Sequence, residues 1–276
     1  MPAKKKSTTD SETFEKGIMP VGDVADRSAT LIYGKSGTGK TALASSWPKP
    51  ILMLDIQEHG TDTIAEIPDI DIRQVSDWET FEQGYWYLKN NDTKYQSVVI
   101  DQISQLQVLG MQKIRADNSM DPTDTFSKRD WGQLSGMLQT WLLNYRDLWD
   151  RYHICMIAHE RSNMGEEAIE DQIDPSIGPR VMPSLASFIC GAVDVVGNTF
   201  IREAYIEVEE AKKKKKIRQV EYRLRVGPHG YYQTKVRKPF HSDLVIPDSI
   251  VNPNFEKLQA ISRGEALQPK RVKRSK

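Results

Sequence analysis

Two cysteines in 276 residues, Cys155 and Cys190, are too few for a disulfide framework, and both stand in apolar surroundings that suit packed thiols of a reducing compartment. No apolar stretch approaches the roughly 20 residues that a membrane-crossing helix needs. Met1 to Lys6 leads into no apolar leader core, so a cytoplasmic location without membrane contact is expected. Internal repeats are lacking, as are zinc-finger and RRM signatures, which excludes the common modules that read nucleic-acid sequence. Net charge is lacking too: 38 Lys/Arg balance 38 Asp/Glu. The balance is uneven along the chain, because residues 263–276 hold six Lys/Arg against one Glu and leave the remainder net acidic.

The ends are poor in apolar residues. Residues 1–17 read as a disordered arm and residues 263–276 as a disordered basic tail, since neither buries enough surface to offset the entropy of ordering. Such a tail either attracts nucleic acid or simply aids solubility. Between them, residues 18–262 have the length of one large domain, and the chain's 38% hydrophobic content is enough for a core.

The strongest positive signal is the run Ala29 to Thr41, an apolar segment ending in a complete G-x-x-x-x-G-K-[ST] phosphate loop, Gly34, Lys35, Ser36, Gly37, Thr38, Gly39, Lys40 and Thr41. Phosphoryl oxygens need several donors converging on one point, and glycines let the backbone curl until its N–H groups do so. Lys40 adds a cation for the β- and γ-phosphates, and the Thr41 hydroxyl is a Mg²⁺ ligand. Leu31-Ile32-Tyr33 reads as a buried strand and Thr41 to Ala44 as a helix, which is the setting this motif requires.

Downstream, Trp47-Pro48-Lys49-Pro50 stops that helix, and Ile51 to Leu54 reads as a second strand carrying Asp55, Gln57, Glu58 and His59 at its carboxyl end, near the phosphate loop. A helix over 77–89 with Asp77 as its cap is expected, then a strand Ser97 to Asp101 of Walker B type, whose carboxylate would hold the Mg²⁺ shell opposite Thr41. A helix over 103–114, an exposed loop 115–130 and a helix capped by Asp130 follow. The second helix carries Trp131, Leu134, Leu138, Trp141, Leu142, Tyr145 and Leu148 as a core stripe. Ile154 to Ala158 is the fourth strand, presenting His159, Glu160 and Arg161. Asn163 to Pro183 reads as a loop, 185–189 as a brief helix and 194–196 as a strand. Period-two alternation at 205–208 and 220–226 marks an antiparallel hairpin with Lys212 to Lys216 at its tip, and Lys235 and Arg237 share a face of a strand over 231–237. The fold class is therefore α/β, a mostly parallel sheet flanked by helices with a C-terminal antiparallel hairpin.

From about Val21 to Phe255 these landmarks resemble the phage nucleotide-binding AAA-domain family, small RecA/RadA-like P-loop ATPases of phage recombination and single-strand annealing. The likeness rests on Lys40 to Pro50, on Leu54-Asp55 followed by Glu and Gly, on Val98 to Ile103, on Ala158-His159-Glu160 and on Lys235-Val236-Arg237. It implies a RecA-like domain that binds and hydrolyses ATP with Mg²⁺, stimulated by DNA. It further implies that Glu58 orients the attacking water, although Gln57 occupies the position where the family pattern has glutamate. His159 would sense the γ-phosphate, and Lys235 and Arg237 would reach into a neighbouring subunit's ATP, with Lys238-Pro239-Phe240 in place of the usual continuation. Loops around 115–129 and 161–180 would face single-stranded DNA, with Lys128, Arg129, Arg161 and Arg180 as contacts. The implied partners are single-stranded DNA, further copies of the chain in a ring or filament, and a phage single-strand-binding or recombination protein; the implied location is the host cytoplasm. A nucleotide-gated binding module with negligible hydrolysis, and a helicase or loader motor, stand as alternatives. A small-molecule kinase lacks a recognisable acceptor lid.

Overall fold

The computed structural model describes residues 28–57, 60–162, 177–210, 213–239 and 242–267. Glu58, the N-terminal arm, the centre of the 163–183 loop, Lys212 and most of the basic tail lie outside the described residues.

Five short apolar runs and one edge segment form a parallel layer. They are β1 (Ala29–Gly34), β2 (Ile51–Asp55), β3 (Ile70–Gln74), β4 (Ser97–Asp101), β5 (His153–Ser162) and the start of β7 (Val195–Glu210), in the order β7-β1-β5-β4-β2-β3. Beyond β7 the sheet turns antiparallel through β8 (Lys213–Arg225) and β10 (Ser249–Val251), while β6 (Ile177–Pro179) pairs with β5 and β9 (Lys235–Val236) with β7. The expected α/β architecture, a mostly parallel sheet flanked by helices with an antiparallel hairpin extension, is what the chain adopts.

Both faces of the inner parallel strands are covered, so those strands are apolar along their buried length rather than alternating. On one side Leu31, Tyr33, Leu54, Val98, Ile100 and Met156 pack against α2 (Trp78–Asn90), α3 (Ile103–Asp117), α4 (Lys128–Arg146) and α5 (Pro183–Ala192). On the other, Ile32, Met53, Val99 and Ile157 meet α1 (Lys40–Ala44), Trp47 and α6 (Phe255–Ser262). Cys155 belongs to the second core and Cys190 to the first, so the sheet separates them. Both are free, and burial holds each thiol well protonated, pushing Cys190 up to about 12. Among the described residues no helix is long and apolar enough to cross a membrane.

Several local expectations need correction. Strand β3 carries polar side chains on an exposed edge, so it lacks the apolar run of its neighbours and escapes pattern reading. Asp77 does cap α2, accepting from the Thr80 N–H, but α4 is capped by Ser127 rather than Asp130. Asp130 is the third helical residue and completes a capping box, which places Lys128 and Arg129 in the first turn of α4, not in a loop. Trp131 leaves the core stripe: it is 40% exposed and rests its ring on Phe126. The segments read as separate strands at 194–196 and 205–208 are one continuous strand, β7. Of the lysine run expected at the hairpin tip, Lys212 lies outside the described residues, and Lys213 to Lys216 belong to β8, in register with residues 207–210 of β7. Of 231–237 only Lys235 and Val236 form a strand.

Candidate nucleotide-binding site

In an open parallel sheet the ligand crevice lies beyond the carboxyl ends of the strands. Here the register brings Gly34, His159 and Thr199 side by side there, and Asp55 and Asp101 next to each other two strands away. The second strand therefore does not adjoin the phosphate-loop strand as its sequence position suggested, since β5 and β4 intervene.

The loop from Gly34 to Thr41 is shaped by close approach. A Cβ on Gly34 would strike the Thr199 hydroxyl and lie 2.6 Å from the Thr199 carbonyl oxygen. Gly37 and Gly39 hold φ at +76° and +82°, a region that favours glycine. The Thr38 hydroxyl donates to the Lys35 carbonyl at 2.8 Å and meets the Thr199 hydroxyl at 2.7 Å, which pins the loop to β7. Lys40, although buried, is not stranded: its ammonium donates to the Gly34 and Lys35 carbonyls at 3.1 and 2.9 Å, inside the curl of the loop.

Across the crevice the Thr41 hydroxyl donates to Asp101 Oδ2 at 2.8 Å. A hydroxyl and a carboxylate oxygen are hard donors of the kind Mg²⁺ takes. The donor set of Thr41 and Asp101 therefore suits the cation. Among the described residues no group of three or more His, Cys, Asp or Glu could hold a metal, and Mg²⁺ sites that share a nucleotide's phosphates need only one or two protein ligands. Beside Asp101, the Gln102 amide lies 2.7 Å from His159 Nε2, and the backbone N–H of His159 donates to the Ser104 hydroxyl.

These groups line a cavity of about 700 Å³ that includes Ser36 to Leu43, Asp101, Gln102, His159, Thr199, Tyr222 and Asn252. A second cavity of about 770 Å³ lies on the far side of His159, with Arg161, Arg180, Trp131 and Val108 in its walls. His159 is common to both, and its carbonyl accepts from the Arg180 N–H at 2.7 Å. Lys128 and Arg129 are exposed nearby in the chain but do not line that second cavity.

Two remaining expectations land elsewhere. Gln57 is exposed, with φ at +59° and its amide 3.5 Å from the Ser76 carbonyl, and it does not line the phosphate cavity; Glu58 lies outside the described residues. Lys235 and Arg237 sit at the opposite end of the sheet, because β9 pairs with Val195 and Val196, which align with Thr30 and Leu31. There Lys235 donates to the Cys190 and Gly191 carbonyls at 2.8 and 2.9 Å, closing the end of α5, and Arg237 pairs with Asp194 at 2.9 Å. Burial, and then the Arg237 charge, lower the Lys235 pKa.

Thr199, Gln102, Tyr222, Asn252 and Trp131 are site residues that sequence reasoning missed. Only Gln102 had a signal, its place directly after the strand-terminal acid.

A family model described as AAA domain matches residues 27–237. Among solved structures, the crystal structure of the RadB recombinase matches at 14% identity over 70% of this chain and 86% of that one, with a TM-score of 0.36. The flagellar accessory protein FlaH from Methanocaldococcus jannaschii matches at 11% identity over 90% of this chain and 92% of its own, with a TM-score of 0.37. No curated protein matches the chain.

The contact between Gly34 and Thr199 yields a sharp expectation. Gly34→Ala should cost about 1–3 kcal/mol of stability through overpacking and weaken nucleotide binding. Adding Thr199→Ala should not restore either, because the Thr199 carbonyl remains 2.6 Å from the new methyl. Thermal melts and nucleotide titrations of both variants test this, and full recovery in the double variant would contradict the backbone contact.

Proposed function

The chain belongs to the AAA-domain family, whose model spans residues 27–237, and from that membership we propose that it is a Mg²⁺-dependent ATPase acting on single-stranded DNA in phage recombination or annealing. The observation that carries this reading is the 2.8 Å contact between Thr41 and Asp101, a ready pair of Mg²⁺ ligands, one strand away from a His159 shared with an arginine-lined groove.

Hydrolysis of a phosphoanhydride demands positioning and charge neutralisation more than covalent help. Gly34 to Thr41 would cradle the phosphates. Lys40 would turn its ammonium from the loop carbonyls toward them, and Thr41 and Asp101 would hold the cation that neutralises developing charge. Glu58 would align the attacking water. His159, hydrogen-bonded to Gln102, would register the γ-phosphate and pass its presence to Arg180 through the backbone contact at its own carbonyl. Arg161 and Arg180, flanking the exposed Trp131, suit a single strand: guanidinium groups meet phosphates while an aromatic face accepts a base. Lys128 and Arg129 would extend the basic surface.

Lys235 and Arg237 lie at least three residues of strand, roughly 10 Å, from the phosphate loop of their own subunit at about 3.3 Å per residue. A role at ATP would therefore be at the site of another copy, and head-to-tail contact of that kind builds rings or filaments. One observation favours a second reading, a nucleotide-gated module that barely hydrolyses ATP: Gln57, at the water-positioning place, faces Ser76 instead. Phosphate release measured with and without DNA separates the two.

Lys40→Ala should abolish ATP hydrolysis; unchanged turnover would sink the catalytic reading. Arg161→Ala with Arg180→Ala should lower stimulation by single-stranded DNA. If each side chain meets one phosphate, the salt dependence of DNA binding should fall by about 1.4 in slope, from about 0.7 per phosphate on a single strand. An unaltered slope would remove both arginines from the interface. Arg237→Ala should slow turnover of the assembled protein while ATP affinity of the isolated subunit holds, and equal loss of both would count against action in trans.

A further inference from the structure

At the end of the sheet opposite the phosphate loop, β1 begins and α4, α5 and α6 all finish around one cavity of about 410 Å³. Three arginines from distant parts of the chain line it: Arg146 ends α4, Arg237 follows β9 and Arg263 caps α6. Helix carboxyl ends attract cations, which accounts for each arginine taken singly. It does not account for the rest of the wall. Gln259, one turn before Arg263 on α6, is only 8% exposed, and among the described residues its side-chain amide has no hydrogen-bond partner. The Trp149 indole N–H and the Ser262 hydroxyl in the same wall have none either among the described residues. A buried amide left unmatched is costly, and native structures leave few of them.

We propose that this cavity binds a small phosphate-bearing anion. Asp194 is the carboxylate in the wall, and both of its oxygens are engaged: Oδ2 accepts from the Ala29 N–H at 3.0 Å and Oδ1 from Arg237 at 2.9 Å. Arg237 gives one more N–H to the Gly191 carbonyl, and Arg146 binds Asp147 through Nε and Nη2 with its Nη1 3.5 Å from the Ala192 carbonyl. A guanidinium has five N–H donors, so these contacts leave donors on both arginines. Guanidinium forks match phosphate oxygens two at a time, and three of them facing one carboxylate leave a surplus of positive charge that an oxyanion offsets. The Gln259 amide and the Trp149 N–H add neutral donors, which phosphate oxygens accept equally well. The volume stands at the low end of the roughly 300–1,000 Å³ of small-ligand pockets, which suits a free or singly substituted phosphate better than a nucleoside triphosphate. The assignment is independent of Gly34 to Thr41, which lie at the other end of β1.

The test is calorimetric titration of the full chain with inorganic pyrophosphate, adenosine monophosphate and succinate, with Lys40→Ala present in every sample so that the phosphate loop is weakened. One pyrophosphate or one adenosine monophosphate should still bind per chain; whichever binds tighter tells a free phosphate from a nucleotide as the source, and either order supports the site. Gln259→Met, an apolar side chain of similar length, should weaken that binding about 10- to 100-fold, the range that loss of one hydrogen bond to a charged group implies. Its melting temperature without ligand should hold or rise, because the unmatched amide is gone. Gln259→Glu brings a carboxylate into the wall and should abolish binding, with a melt that shows the chain folded. Absence of phosphate binding in the Lys40→Ala chain would overturn the site, as would binding unchanged in both Gln259 variants. A lower unliganded melting temperature in Gln259→Met would assign the amide a structural role and overturn it too. Succinate bound more tightly than either phosphate probe would overturn the phosphate assignment.

Discussion

The hydrogen bond from Thr41 to Asp101 is the contact on which the rest of the site depends. It joins the helix after β1 to the end of β4, and those two strands are not neighbours, because β5 lies between them. The insertion has a physical consequence. With β5 in the gap, the crevice between the two metal-ligand candidates has a floor, and the residue that forms this floor at the strand end is His159. A histidine there touches both the phosphate side and the groove behind it. Strand order, rather than any motif, thus gives the molecule a side chain with access to two cavities.

Thr199 does comparable work on the other flank of β1. Its hydroxyl meets Thr38 and its carbonyl presses on Gly34, so the curl of the phosphate loop is held from the hairpin side. The same hairpin is fastened to the end of β5 by a buried asparagine and partly buried charged groups. Asn198 donates to Glu160 at 2.9 Å, and Arg225 donates to Asn198 at 2.7 Å while its guanidinium lies 3.8 Å from the centre of the Tyr232 ring and 4.3 Å from that of Phe200. These hydrogen bonds tie the end of β5 to β7 and β8.

How far the sequence made this legible follows from where the information sits. The four buried parallel strands β1, β2, β4 and β5 are short apolar runs ending in functional residues, and their pattern is local. The phosphate loop and Asp101 were readable for the same reason. Strand β3 was not, because an edge with one face in solvent needs few apolar side chains. The start of α4 was read at Asp130, three residues late, since a capping box uses both Ser127 and Asp130 and only the geometry says which residue is the cap. The lysine run looked like a turn because its place opposite residues 207–210 of β7 is apparent only once the register is known.

Thr199, Tyr222 and Asn252 pose a different difficulty. Each reaches the site through long-range pairing: Thr199 stands beside Gly34 only because β7 runs parallel to β1, and Asn252 stands beside Tyr222 only because β10 closes on β8. No spacing rule connects residues so far apart in the chain. The half of the site that holds phosphate is encoded in one contiguous stretch, where backbone N–H groups suffice and glycines announce them. The facing wall of the cavity is assembled by the sheet, where position along the chain does not announce which side chains meet. That division is why the loop and its glycines stood out in the sequence, while the residues across the cavity from them had to wait for the fold.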